Sequence, residues 1–130
     1  MEDYLSILEE AALAGDIALR DCKPTPVRFY SADLNGKALN EGSICNEGNC
    51  GGAYITGLGG NTAFVRWGKK NLPSDSRFSL SKGVYRGYTL SCSTPQYRGQ
   101  SAERYEAKTR AIAKVLNDNG ISCSVKTYLT

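Results

Sequence analysis

The sequence predicts an α+β fold, in which an antiparallel β-sheet is combined with an N-terminal helix and a long C-terminal helix that is followed by a closing strand. Two observations favour this class. Apolar residues recur at helical spacing near both ends of the chain, and the residues between them divide into short alternating segments bounded by Gly, Pro and Asn. The 130 residues contain neither an internal repeat nor a domain boundary, so we expect a single domain over residues 1–130.

The C-terminal helix has the clearest signals. Ser101 suits the N-cap, because its hydroxyl can accept a hydrogen bond from a free amide of the first turn, and Asn119-Gly120 is a typical helix end. The predicted buried face consists of Ala102, Tyr105, Thr109, Ile112, Ala113 and Leu116. The charged residues expected opposite to it, in solvent, are Glu103, Glu106, Arg110 and Lys114.

Arg104 and Lys108 lie four residues apart at the edge of that predicted buried face. This position suits a basic pair that faces a cleft. It also suits two side chains that lay their stems on apolar surface and keep their charges in water. The sequence leaves both interpretations open.

Residues 1–22 predict the N-terminal helix, which Lys23-Pro-Thr-Pro26 ends because Pro cannot continue it. This helix carries apolar residues on several sides and must therefore bury more than one face. It either packs on the sheet or pairs with another copy of the chain. We therefore treat residues 1–22 as a candidate oligomerisation element and expect a homo-oligomer.

Short alternating segments bounded by turn residues predict the strands. They lie at residues 27–32, at 52–56, in a hairpin formed by 77–81 and 84–92, and in the closing strand at 121–129. Asn35-Gly36 predicts a tight turn. Residues 61–70 fit either a short helix or a strand.

The segment 46–60 is rich in Gly, with clusters at Gly51-Gly52 and from Gly57 to Gly60. Phosphate-binding loops are also rich in Gly, but two further signals mark them. A helix starts directly after the loop, and in the P-loop the Gly residues are followed by Lys and then Ser or Thr. We see neither signal here. We therefore interpret these Gly residues as turns and bulges of a curved sheet.

Charge is unevenly distributed along the chain. Residues 1–22 carry six acidic side chains and one Arg, a net charge of −5, whereas residues 66–114 carry eleven Lys and Arg against three acidic side chains, a net charge of +8. The basic segment favours a phosphate-bearing partner. Cations alternate with aromatic residues along it, a pattern that suits base stacking and phosphate pairing, although the same aromatic residues also suit a core.

The sequence offers little for catalysis or metal binding. It contains no His, which removes the commonest general base and zinc ligand. Cys45 and Cys50 would need partners from distant Cys residues to hold a metal, and no second pair has ligand spacing. We expect no enzyme activity, no cofactor and no metal. Because no signal peptide and no membrane-spanning apolar run is present, we expect reduced thiols and a cytoplasmic location, without membrane contact.

Five segments together resemble a known family. They are Gly52-Ala-Tyr-Ile55, Phe64-Val-Arg-Trp-Gly-Lys-Lys70, Gly83-Val-Tyr-Arg-Gly-Tyr-Thr-Leu90, Gln100-Ser-Ala-Glu-Arg-Tyr-Glu-Ala107 and Ala111-Ile-Ala-Lys-Val-Leu-Asn-Asp-Asn-Gly-Ile121. Over about residues 50–130 the chain is similar to the phage anti-Thoeris proteins of the first type. The resemblance implies a viral anti-defence protein of the bacterial host cytosol, an oligomer with sites between protomers. A protein of this kind acts as a sponge: it sequesters cyclic ADP-ribose isomers, and in some members of the family cyclic oligonucleotides, without cleaving them.

The resemblance also implies a ligand site built from an aromatic residue and basic residues of the C-terminal helix. Arg104 and Lys108 match best, with Phe78 as the aromatic residue, although Lys108 stands where an Arg is expected and makes a point contact rather than a fork. The full set of expected ligand-binding residues is Phe78, Arg86, Arg98, Arg104, Tyr105 and Lys108.

Two other functions remain open. A small basic nucleic-acid-binding protein would use Arg104, Lys108, Arg110 and Lys114 on a phosphate backbone. A protein-binding anti-defence inhibitor would use the N-terminal helix or a sheet edge.

Overall fold

A computed structural model describes residues 3–29, 43–45, 48–72, 76–83, 87–95, 97 and 99–129. In this part of the chain the elements are α1 (Tyr4–Asp21), β1 (Val27–Phe29), β2 (Ser43–Cys45), β3 (Gly51–Leu58), α2 (Ala63–Asn71), β4 (Phe78–Lys82), β5 (Tyr88–Cys92), α3 (Ala102–Asp118) and β6 (Ser124–Leu129). The strands β1 and β2 pair with each other, and an antiparallel four-stranded sheet has the order β4-β5-β3-β6. The predicted α+β fold, with its two terminal helices and its closing strand, is confirmed.

The helix α3 begins and ends where its signals predict. The Ser101 hydroxyl accepts a hydrogen bond from the Arg104 amide at 3.4 Å, and Gly120 has a φ of +81° directly after the C-cap. The buried face of α3 differs from the prediction at two positions: Tyr105 is only half-buried, and Lys108 is buried. The burial of Lys108 in place of Tyr105 affects the candidate functional site.

The helix α1 packs mainly on α3. One of the two expected arrangements placed it on the sheet instead. Its N-cap is Asp3, whose carboxylate accepts a hydrogen bond from the Ser6 amide. The two helices cross closely at Gly15, where a Cβ would lie 3.0 Å from a side-chain carbon of Lys108 and of Ile112. The other side of α1 keeps three exposed apolar residues, namely Leu5, Leu13 and Ile17.

The central strand β3 pairs with β6 from Gly51 opposite Leu129 to Thr56 opposite Ser124. The predicted hairpin is formed by β4 and β5. Between β3 and β5 the register shifts from Ile55 to Leu58, and Gly57 within this interval has a φ of +80°. At this position the interpretation of the Gly-rich segment as a bulged strand is confirmed.

The segment that fitted either a helix or a strand forms α2. Thr62 caps it: its hydroxyl donates to the Gly59 carbonyl at 2.7 Å and accepts from the Val65 amide at 3.4 Å. A helix therefore starts directly after Gly59-Gly60, and our expectation that no helix start follows this Gly cluster is wrong. Thr62 supplies the start signal through capping alone.

The core joins all three helices to one face of the four-stranded sheet. It contains Ile7, Leu8, Ala11, Ala12, Ile55, Leu58, Phe64, Val65, Phe78, Leu90, Ile112, Ala113, Leu116 and Ile121. The predicted turn at Asn35-Gly36 lies outside the described residues. Among the helices described, none has the length and apolar character that crossing a membrane requires.

Candidate functional site

A cleft opens between α1 and the start of α3. It has a volume of about 490 Å³ and is lined by Leu13, Asp16, Ile17, Leu19, Arg20, Thr94, Tyr97 and Arg104. We call it the α1–α3 cleft. Its volume lies within the range of small-molecule sites, which are about 300 to 1,000 Å³. The cleft combines apolar side chains of α1 with a few polar groups, and this composition is typical of small-molecule sites.

Arg104 forms the wall contributed by α3. Its Nη1 donates to the Leu19 carbonyl at 2.8 Å and to the Arg20 carbonyl at 3.4 Å. These are among the last carbonyls of α1, which the helix itself leaves without amide partners. The guanidinium also offsets the partial negative charge at that helix end. Arg104 therefore joins the two helices and holds a positive charge at the cleft.

Tyr97 supplies the aromatic surface. Its ring centre lies 5.8 Å from the Arg104 guanidinium carbon, and its hydroxyl accepts a hydrogen bond from the Ser101 amide at 3.1 Å. Tyr105 packs edge-on against this ring with centroids 5.6 Å apart and donates its hydroxyl proton to the Gly99 carbonyl at 2.8 Å. Burial raises the pKa of Tyr105, so the hydroxyl stays a neutral donor. Tyr105 thus fixes the segment that carries Tyr97.

Lys108 lies behind the cleft. Its side chain is 2 % exposed, and its ammonium donates to the Cys92 carbonyl at 2.7 Å, to the Ser93 carbonyl at 3.1 Å and to the Thr94 hydroxyl. Burial lowers the pKa of this amine. Neither sequence interpretation of Lys108 is correct, because the side chain reaches neither the cleft nor open water. Its three acceptors belong to the last residue of β5 and the two residues after it, and Lys108 thereby positions Thr94 in the cleft wall.

Asp16 is the acidic residue of the cleft, and Arg77 pairs with it. Two hydrogen bonds of 2.8 and 2.9 Å join the guanidinium to the carboxylate, and Arg77 also donates to the Ser93 carbonyl. The hydrogen bond from Arg77 holds the pKa of Asp16 below its ordinary value. Since Arg77 neutralises this carboxylate, Asp16 adds little negative charge to the cleft, whose walls also carry the guanidinium groups of Arg20 and Arg104.

Of the predicted site residues that the structure describes, only Arg104 lines the cleft. Tyr105 and Lys108 support its walls. Phe78 is 6 % exposed and packs in the core, so its ring is not placed to stack on a ligand in the cleft, where Tyr97 stands instead. Arg86 and Arg98 lie outside the described residues.

Sequence reasoning missed the contribution of α1. Leu13 and Ile17 form part of the cleft surface and remain 62 % and 43 % exposed, and Arg20 lies one turn further along the helix. The excess of apolar residues on the N-terminal helix is the available signal, but we interpreted it only as packing on the sheet or pairing with another copy of the chain. A basic residue next to exposed apolar residues of a helix also suits a ligand site.

Within the described residues no group of three or more Cys, Asp or Glu side chains is placed to hold a metal ion, and Cys50, Cys92 and Cys123 are free thiols. Comparison of the chain with protein-family models, with curated proteins and with solved structures finds no match in any of the three.

Proposed function

We propose that the protein is a non-catalytic binding protein that sequesters a small phosphate-bearing nucleotide in the α1–α3 cleft. With the resemblance to anti-Thoeris proteins, the proposal becomes a phage-encoded cytoplasmic sponge for cyclic ADP-ribose isomers. The observation that carries it is the composition of the cleft: guanidinium groups of Arg20 and Arg104 and the ring of Tyr97 surround an apolar floor, while Arg77 neutralises Asp16.

These groups match the parts of a nucleotide. Guanidinium groups bind phosphate oxygens through charge-assisted hydrogen bonds, and aromatic rings stack on bases. The Arg20 side chain is 73 % exposed, and it forms an ion pair with the adjacent Asp21, whose side chain is 62 % exposed. Such a surface pair contributes little stability, so Arg20 can exchange its carboxylate for a phosphate at small cost.

The state of the titratable groups supports binding rather than catalysis. Asp16 is held as a carboxylate by Arg77, and the ammonium of Lys108 is bonded to three oxygens. The sequence has no His to act as a general base near neutral pH. A sponge needs tight binding and slow release and no proton transfer, which agrees with these constraints.

The resemblance further implies an oligomer. Leu5, Leu13 and Ile17 form an exposed apolar stripe on α1, and two of them line the cleft, so a second copy on this stripe would narrow the cleft. Size-exclusion chromatography with light scattering tests this part of the proposal. A monomer at micromolar concentration would exclude it while leaving the nucleotide proposal to its own test.

Thermal unfolding with and without candidate ligands tests the function. Cyclic ADP-ribose isomers and cyclic di- and trinucleotides are compared, and the ligand is recovered by heating and analysed chemically. A ligand at 100 times its Kd adds about 2.7 kcal/mol to the free energy of unfolding, a clear shift of Tm. Recovery of intact ligand supports a sponge, whereas a covalently changed ligand refutes it. If no nucleotide shifts the Tm, the proposal fails.

Arg20→Gln locates the site. Loss of a hydrogen bond to a charged group costs about 1.5 to 3 kcal/mol, so we expect a Kd about 10- to 150-fold higher by calorimetry. Arg110→Gln is the matched control, since Arg110 is exposed, carries the same charge and pairs with Glu106 on the outer face of α3. Equal effects of the two variants would show that the cleft is not the site.

A further inference from the structure

The helix α2 carries an unbalanced positive surface. Arg66, Lys69 and Lys70 are exposed and lie three and four positions apart, which places them on one side of this helix. Lys82, at the end of β4, is exposed as well. Among the described residues, none of these four cations takes part in an ion pair.

The sequence around α2 contains almost no negative charge to balance it. Asp75 is the only acidic residue between Gly48 and Ala102. A surface of one sign attracts a partner of the opposite sign and raises its association rate. The partner that fits the α2 surface is therefore a polyanion.

The surface of α3, which the alternative function of nucleic-acid binding would use, is different. Arg110 pairs with Glu106 at 2.7 Å and Lys114 pairs with Asp118 at 2.9 Å, each four residues along the same helix. Lys108 is buried. Because local carboxylates neutralise the exposed cations of α3, α2 is the stronger candidate for phosphate contacts.

Trp67 adds an aromatic surface to the α2 cations. One part of its indole packs against Phe64 and Tyr4, with ring centroids 6.2 and 5.3 Å away. The indole also lines a shallow groove of about 310 Å³, together with Ala63, Arg66 and Lys70. The small side chain of Ala63 leaves room beside the indole. The groove therefore presents an aromatic wall with two cations, and the core holds the ring in place.

We propose that the α2 surface binds single-stranded nucleic acid, with a base stacked in the groove against Trp67 and adjacent phosphates on Arg66 and Lys70. Aromatic surfaces combined with cations are typical of single-strand binding, because every base has a face to stack and stacking contributes about 1 to 3 kcal/mol per base. A duplex has no free base face for this groove. Among the residues with a described position, the α2 groove and the α1–α3 cleft have no lining residue in common, so this inference stands independently of the proposed function.

The intrinsic fluorescence of the protein can report binding in the groove, because Trp67 is the only Trp of the chain. Titration of the full chain with a short oligothymidylate should quench its fluorescence with saturation, since a stacked base contacts the indole. Repeating the titration over a range of salt concentrations gives the number of phosphate contacts, because log K falls with log salt by about 0.7 per contact for single strands.

The double variant Arg66→Gln/Lys70→Gln should weaken the binding at least about 10-fold and lower the salt slope by about 1.4, since it removes two phosphate contacts. The control Arg110→Gln/Lys114→Gln removes the same charge from α3 and should stay within about twofold of the unaltered protein. Circular dichroism and urea unfolding establish that both variants are folded.

Four results would overturn the proposal. Absence of quenching at low salt excludes stacking on Trp67. An equal loss of affinity in the α3 control shows that only net charge matters. Equal affinity for a duplex of matching sequence shows backbone binding without stacking. Quenching by thymidine monophosphate at the same concentrations shows a mononucleotide pocket rather than a strand-binding surface.

Discussion

Replacing Asp16 with Asn tests the ion pair that joins α1 to Arg77, the residue directly before β4. The substitution keeps the size and shape of the side chain but removes the charge that Arg77 binds through two hydrogen bonds of 2.8 and 2.9 Å. The two side chains are 26 % and 30 % exposed, so the pair is neither a surface nor a fully buried one. Surface pairs contribute up to about 1 kcal/mol, and breaking a buried pair costs about 3 to 5 kcal/mol. We expect Asp16→Asn to lower the free energy of unfolding by about 2 kcal/mol at pH 7.

The pH dependence gives this prediction a definite sign. The hydrogen bond from Arg77 holds the folded-state pKa of Asp16 below its ordinary value of 3.8. An unfolded chain therefore takes up the proton first as the pH falls, which favours unfolding. The contribution of Asp16 is complete above pH 3.8 and is lost as the pH falls through the folded-state pKa. The difference between the unaltered protein and Asp16→Asn should shrink towards zero in that range.

Urea unfolding followed by the fluorescence of Trp67 measures both effects, since this ring packs against Tyr4 and Phe64 in the folded state. Glu106→Gln is the control, because Glu106 belongs to an exposed pair on α3 and should cost about 0.5 kcal/mol or less. The reasoning is refuted if the difference in free energy of unfolding between the unaltered protein and Asp16→Asn stays constant from pH 7 to below pH 3.8. It is also refuted if Asp16→Asn and the control lower the free energy of unfolding by the same amount.

Two further predictions concern stability. Lys108→Met keeps the buried stem but removes the ammonium from the Cys92 carbonyl and the Thr94 hydroxyl, so urea unfolding should show a loss of about 2 to 3 kcal/mol. Equal or higher stability would mean that desolvation of the ammonium outweighs its bonds. Gly57→Ala should cost about 1 to 2 kcal/mol in thermal unfolding, because its φ of +80° is unfavourable for Ala, while a Cβ there would meet Ser124 at ordinary contact distances of 3.8 and 3.9 Å without a clash. An unchanged Tm would show that the bulge relaxes without strain.

The parts of the fold that the sequence predicts correctly depend on local signals. The helix α3 has a capping Ser101, a periodic apolar face and a terminal Gly120, all within one continuous segment. The helix α2 was ambiguous because it is short and contains Gly68, a poor helix former. Its start at Thr62 follows a Gly cluster that also suits a strand bulge.

The candidate site could be predicted only in part, because its walls come from segments far apart in the chain. Arg104 was found because its position at the edge of a helix face is a local property. The burial of Lys108 could not be found, since it depends on carbonyl groups at Cys92 and Ser93 that reach α3 only in the folded chain. Tyr97 lies in an irregular segment, where no periodicity marks its direction.

The contact between Arg104 and the Leu19 carbonyl has a consequence for synthesis, because 85 residues separate its partners. At about 5 to 20 residues per second, Leu19 is added to the chain roughly 4 to 17 s before Arg104. During this delay the apolar residues Ile7, Leu8 and Ala11 have no helix to cover them. The nascent chain therefore exposes an apolar helix face for several seconds. The yield of folded protein in cells should depend on chaperones that bind such apolar helices during synthesis.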